Sequence, residues 1–330
     1  MYFCSLFDKN YLTRALAMYY SLKKNADNFH LYFFAMDDTS YKILNILKLE
    51  NVTTIFIENI EDDKLKKIKS ERSKVEYYWT CTPVVTTYCL QNFKINHVTY
   101  LDADLFFYNN PKILLEEMGD KTVLITEHLY SPHYFRSEIF GKYCVQFVSF
   151  KNDESALKVL NEWKNNCLNW CFDKIENGKF GDQKYLDSWT NDYVNVHSLR
   201  NYGGLLAPWN IQQFKIYDEN GILMCKNILN NKKYDVVFYH FHFVRYYDNA
   251  LIDIGDYYLN ENVKKYFYND YINVLEKILN ELKIKYPDLK LTNCEKVFIK
   301  NYETKINRLK RYIKMTLNVQ PLSKFILKHE

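Results

Sequence analysis

Five short apolar runs divide the first 130 residues: YFCSLF (2–7), FHLYFFAM (29–36), VTTIFI (52–57), HVTYLDADLFF (97–107) and KTVLITEHL (121–129). Between them lie YLTRALAMYYSLKKN, TSYKILNILKLE and TPVVTTYCLQNF, whose apolar residues recur at helical spacing. Strand-length runs alternating with amphipathic helices predict βα units, hence an α/β fold with a mostly parallel sheet and helices on both faces. Downstream, GKYCVQFVSFKN reads as a further strand, ESALKVLNEWKNNCLNWCFDK as a long helix and KYDVVFYHFHFV as a late strand. From about residue 256 the pattern turns helical, so the expectation is one large domain over 1–255 and a helical, basic extension over 256–330.

Several function classes are disfavoured. The 44 basic and 40 acidic residues leave a net charge of +4, too balanced for nucleic acid as the main partner. MYFCSLFDKNY lacks the basic start and apolar core of a signal peptide, and no run is long enough to span a membrane, so a cytoplasmic protein is expected. The eight cysteines form no CxxC pair or short disulfide framework. With eight glycines and neither G-x-G-x-x-G nor a P-loop, the chain lacks a backbone cradle for phosphate; a nucleotide would need its charge neutralised by other means.

HVTYLDADLFF supplies such a means. Carboxylates are costly beside so much apolar surface unless solvent or a cation receives them. Alternate residues of a strand share a face, so Asp102 and Asp104 can converge while Ala103 points away. Two hard oxygen donors at the carboxyl end of a strand suit Mg²⁺ or Mn²⁺, ions that keep positions open for substrate phosphates. The competing reading is an Asx turn. In VVFYHFHFVRYY, His240 and His242 alternate with aromatics and share a face; either could complete the ligand set, and a histidine favours Mn²⁺. Asp182 and Gln183, in GKFGDQKYLDSW, follow a glycine turn; they read as groups facing a cleft, or Asp182 as a helix N-cap. Gly203 and Gly204 read as a flexible turn, and Trp209 as a sugar-stacking or core residue.

The ordered set FCSLFDKNYLTRALAMYYSL, YLDADLFF, GDQKYLDSW, APWN and FYHFHF resembles bacterial GT-A glycosyltransferases, close to the nucleotide-diphospho-sugar transferases related to glycogenin and to the family-eight galactosyl- and glucosyltransferases. The resemblance covers about residues 1 to 245. It implies a GT-A domain and a nucleotide-sugar donor, UDP-linked in that group. It further implies Mn²⁺ or Mg²⁺ on Asp102, Asp104 and a late histidine, His240 first and His242 second. Uracil contacts would fall on Ser5, Asp8 and Tyr11, donor contacts on Lys74 and Ala103, and sugar or acceptor contacts on the catalytic pair Asp182 and Gln183. The implied acceptor is a glycan or lipid-linked glycan of bacterial surface polysaccharide or lipooligosaccharide, and the implied outcome is retention. Two departures stand out. Cys144-Val145-Gln146 replaces an Asn-x-Gly common in relatives, and no lysine or Pro-Trp follows the HF pair, where Arg245 is the substitute.

Two rival readings exist. A haloacid-dehalogenase-type phosphatase also pairs Asp-x-Asp with a later Gly-Asp and aspartate, here Gly181-Asp182 and Asp187, but needs its nucleophile on the opening strand and a Thr or Val where Phe106 stands. A non-catalytic α/β binding or scaffold protein would use the aspartates as turn residues. The basic tail, residues 300–330, interleaves cations with Ile, Leu, Tyr and Phe; it reads either as an interfacial helix on the inner face of the cytoplasmic membrane or as a solvated helix or homo-oligomer contact.

Overall fold

The computed structural model describes residues 1–247, 250–289, 291–292, 305–313, 316 and 318–325. Its central sheet is made of Tyr2–Phe7 (β1), His30–Ala35 (β2), Val52–Phe56 (β3), His97–Leu101 (β4), Val123–Glu127 (β6), Tyr143–Lys151 (β7) and Val196–Ser198 (β8), in the order β3-β2-β1-β4-β7-β6-β8. A short Leu105–Phe107 strand (β5) stands outside it. Only β7 runs antiparallel to its neighbours, so the expected mixed, mostly parallel α/β sheet is present.

Period-two alternation puts apolar side chains on both faces of β1, as a sheet covered on both sides requires. Phe3 and Phe7 join one core with helix α1 (Leu12–Asn25); Cys4 and Leu6 join the other with the helix Lys74–Asn92 and the helix Glu154–Asn169. The Lys74–Asn92 helix starts at a capping box, Ser73 and Glu76 exchanging bonds with each other's backbone N–H, so Lys74, a donor contact by the family resemblance, stands in the first turn of a 19-residue helix.

The helix Asp270–Lys285, expected within an extension, buries Tyr271, Ile272 and Leu275 in the same core as α1 and β5. The tail is tied back as well. Val319–Pro321 pairs antiparallel with Leu251–Asp253, Phe325 is buried, and the Arg311 guanidinium donates to both Asp253 carboxylate oxygens at 3.0 and 3.2 Å. The rest of the stretch expected at a membrane, 300–304, 314–315, 317 and 326–330, lies outside the described residues. Among the described residues no helix is long and apolar enough to cross a membrane.

Two expected strands are broken where the site forms. HVTYLDADLFF ends as β4 at Leu101, turns through Asp102–Asp104 with a 3.3 Å bond from Leu105 N–H to the Asp102 carbonyl, and resumes as β5. KYDVVFYHFHFV splits into Lys233–Asp235, paired with Ile222–Asn227, and Phe238–His240, paired antiparallel with β5 so that His240 faces Leu105. His242 lies beyond that second piece, in a turn.

Gly203 and Gly204 are not a flexible turn. A Cβ on Gly203 would lie 1.9 Å from the Asp235 carbonyl oxygen, and one on Gly204 2.6 Å from Leu114. Both glycines are there for close approach, and the Gly203 carbonyl accepts Val237 N–H at 2.9 Å, one residue before the strand that carries His240. Gly203→Ala is therefore expected to destabilise the protein by about 2–3 kcal/mol through overpacking. An unchanged urea midpoint would contradict this packing account.

Candidate active site

The carboxyl end of β4 opens into a cleft of about 1150 Å³, walled by Phe7, Asp8 and Tyr11, by Lys74, Tyr78 and Trp79, and by His128, Trp209 and Tyr257. Ligands of open α/β sheets bind beyond the strand ends, and the aspartate pair lies at such an end. Asp102 and Asp104 sit on the turn that follows β4 and not on one face of a strand, and each carboxylate approaches His240. His240 Nε2 lies 3.1 Å from Asp104 Oδ1 and 3.7 Å from Asp102 Oδ2. Its other nitrogen, Nδ1, is 2.7 Å from Gln146 Oε1.

The electrostatics follow from this crowding. Burial opposes charge on every member, but the Asp104 carboxylate outweighs it at His240 and holds the imidazole pKa well above its ordinary value. The return effect of His240 outweighs burial at Asp104, whose pKa sits below the usual carboxylate value. Asp102, still 30% exposed to the cleft, is raised to about 6 by burial, with His240 lowering and Asp104 raising it. Two carboxylates that each approach one imidazole offer the oxygen and nitrogen donors that Mn²⁺ or Mg²⁺ takes, so the residues fit a divalent ion. Cys144 lies here too: its sulfur and one donor atom each of Asp102 and His240 lie within 4.8 Å of one another.

His242 is exposed and lines the cleft, its ring centroid 6.1 Å from that of His240, while no ion pair joins it to either aspartate among the described residues. Of the two open choices, His240 is the one the fold brings to the carboxylates. Trp209 is 5% exposed, donates Nε1–H to the His128 carbonyl at 2.7 Å, and meets the rings of His128, His240 and His242 at 5.3, 5.3 and 5.5 Å. It braces the histidine wall.

Asp182 is buried and lines the cleft. It occupies the N-cap place of the Gln183–Ser188 turn, yet its side chain makes no capping bond, so the N-cap reading does not account for it. Its carbonyl accepts Trp163 Nε1–H at 2.9 Å, and burial, then the charge of Asp102, push its carboxyl pKa up to about 8. Gln183 also lines the cleft, with its amide donating to the Phe140 carbonyl at 2.6 Å.

At the other end of the cleft, Asp8 is buried; it accepts the Asn10 N–H at 2.9 Å and the Tyr78 hydroxyl at 3.1 Å, and its carboxylate is ion-paired with Lys74. Tyr11 and Ala103 both line the cleft. Ser5 does not: it is fully buried within β1 and its hydroxyl finds no partner. Arg245 stacks on Phe243 at 3.7 Å and is not among the residues lining the cleft. Asp187, the third aspartate a phosphatase would need, accepts Lys142 N–H at 2.7 Å, pairs with Lys184 at 2.9 Å and faces a separate cavity of about 480 Å³.

The sequence reading missed His128, and it met Cys144 and Gln146 only as a departure from the Asn-x-Gly of relatives, without a role at the site. His128 stands one residue past β6, the place where a parallel strand delivers a side chain to the cleft, and that position was legible. Burial and the nearby His240 charge lower its pKa to about 3, so it presents a neutral imidazole, with Nδ1 3.1 Å from the Gly141 carbonyl.

No family model matches the sequence. Two curated proteins of Bacillus subtilis (strain 168), both described as uncharacterized, are similar to it. YfnF is 30% identical over 247 residues, covering 72% of this chain and 80% of YfnF; YfnD is 26% identical over 293 residues, covering 87% of this chain and 92% of YfnD. Among solved structures, the galactosyltransferase LgtC in complex with donor and acceptor sugar analogs aligns over 84% of this chain and 96% of its own, at 11% identity and a TM-score of 0.49.

Proposed function

The chain belongs to the same family as YfnF of Bacillus subtilis, and from the geometry of its cleft we propose that it is a metal-dependent glycosyltransferase moving a sugar from a nucleotide-diphosphate donor, UDP-linked, to a glycan hydroxyl. The observation that carries this reading is the approach of Asp102 and Asp104 to His240, at 3.7 and 3.1 Å, at the carboxyl end of β4 in a cleft of about 1150 Å³. Asp102, Asp104 and His240 would hold the divalent ion, whose chemistry is Lewis-acid stabilisation of the departing diphosphate.

The chain's own residues supply the rest. Tyr11 and Asp8 bind the nucleoside end of the donor, and Lys74 moves from Asp8 to phosphate when a donor arrives. Trp209, His128 and Tyr257 wall the cleft, which keeps water from competing with the acceptor. Asp182, with its raised pKa, is protonated at neutral pH in the ion-free site and can donate a hydrogen bond to a sugar hydroxyl. Retention of configuration and an acceptor from a bacterial surface glycan belong to the same proposal. It is tested by a screen of nucleotide sugars for Mn²⁺-dependent hydrolysis. Release of UDP from at least one donor, abolished by EDTA, is expected; phosphate release from p-nitrophenyl phosphate with no nucleotide sugar consumed would overturn it.

A further inference from the structure

We propose that Gln146 is a positioning residue for the metal centre: its side-chain carbonyl accepts the Nδ1–H of His240, so that Nε2 is the nitrogen turned towards Asp102 and Asp104 and the one whose lone pair is free for an ion once its proton is displaced. This rests on the reading of those three residues as a divalent-ion site.

Gln146 is a fully buried amide in the middle of YCVQFVSFK, an otherwise apolar stretch of β7, where an amide is costly unless hydrogen bonded. Its Oε1 lies 2.7 Å from His240 Nδ1, and its Nε2 finds no hydrogen-bond partner. One end of the amide is thus satisfied by the histidine alone while the other is left bare, an arrangement that packing alone would replace with an aliphatic side chain.

The backbone of the same residue reaches the second half of the site. The Gln146 carbonyl accepts Asp102 N–H at 3.0 Å, so one residue holds both the aspartate turn and the imidazole from the Phe238–His240 strand. Its place on β7 is irregular: opposite β6 the register jumps from Leu124↔Ser149 to Thr126↔Cys144, leaving extra residues on β7 that include Gln146. Bulges of this kind re-aim side chains beside functional sites.

The chemistry is that of a ligand's outer partner. An imidazole binds a cation through one nitrogen, and an acceptor on the other nitrogen selects the tautomer, fixes the ring's rotation and makes the ligating nitrogen more basic. Gln146 differs from a carboxylate partner in adding no charge to a centre that already carries two.

The test is Mn²⁺ binding to the full chain without nucleotide, read as loss of the free-ion electron paramagnetic resonance signal. Gln146→Met, which keeps the volume and removes the acceptor, is expected to weaken Mn²⁺ about 10- to 100-fold. Gln146→Glu, which keeps an oxygen at the same reach, is expected to bind within a few-fold of wild type. A folded Gln146→Met protein that binds Mn²⁺ as wild type does would overturn the assignment while leaving the ion site standing; a wild-type protein that takes up no Mn²⁺ would instead remove the site on which it rests. Should Gln146→Met not fold, the ¹⁵N spectrum of histidine-labelled wild type with diamagnetic Mg²⁺ decides. Protonated Nδ1 and bare Nε2 at His240 support the proposal, and the opposite tautomer sinks it.

Discussion

Asparagine in place of Asp104 is expected to cut sugar transfer by about 10³-fold, because a ligand and a full negative charge leave the one point where the diphosphate's charge would be met, an effect worth several kcal/mol in the transition state. The change is nearly isosteric, so the side chain still fits between His240 and the β5 turn, and the fold should survive. The far-ultraviolet circular dichroism and a cooperative thermal transition should therefore persist. In the same variant His240 loses the neighbour that holds its pKa up, since the Asp104 carboxylate is the first cause that raises it against burial. Transfer within ten-fold of wild type, and resistant to EDTA, would remove the ion from the account.

The second large effect concerns Asp182 and stability against pH. Its folded pKa of about 8 lies above the ordinary 3.8, owing to burial first and the charge of Asp102 second. The native state thus binds this proton more tightly than the unfolded chain does. Between about pH 4 and pH 8 the native state holds more protons, so stability falls as pH rises through that window and the contribution is gone above it. The shift corresponds to at most ~6 kcal/mol over the whole window. Asp182→Asn removes the titration, and the variant should outlast wild type at pH 8.5 by several degrees in thermal midpoint while differing little at pH 4. Mn²⁺ should narrow the difference, because a cation on Asp102 neutralises the charge that helps raise Asp182. Parallel pH profiles for the two proteins would show that the carboxyl is not held in its neutral form.

The parallel sheet was legible because strand-length apolar runs and helical periodicity alternate so regularly through residue 130, and physical chemistry leaves few other ways to cover both faces of such strands. What the periodicity could not show is where a strand stops. HVTYLDADLFF reads as one strand, yet its aspartates turn the chain, and the residues after them find a new partner 130 residues away in Phe238–His240. Strand alternation, the reason the two aspartates were expected to share a face, thus does not operate, and it is the β5 pairing that brings His240 to them. Choosing between His240 and His242 needed the same information, because both alternate with aromatics and only the end of the short strand separates them.

Other misses have different causes. Gln146 was visible only as part of a departure from the Asn-x-Gly of relatives, and its meaning depends on a contact 94 residues away. The glycine pair was read by composition as flexible, whereas what requires it is a carbonyl arriving from Asp235. Ser73-x-x-Glu76 was a capping-box signal present in the sequence and was not read as one. Lys74, set against the donor by the family resemblance, is ion-paired with Asp8.

The most direct measurement is anomalous scattering from a crystal soaked with manganese and UDP. A peak bounded by Asp102, Asp104 and the Nε2 of His240, with the diphosphate oxygens on its open side, is what the geometry predicts. Well-ordered UDP in the cleft with no anomalous signal at that point would contradict it.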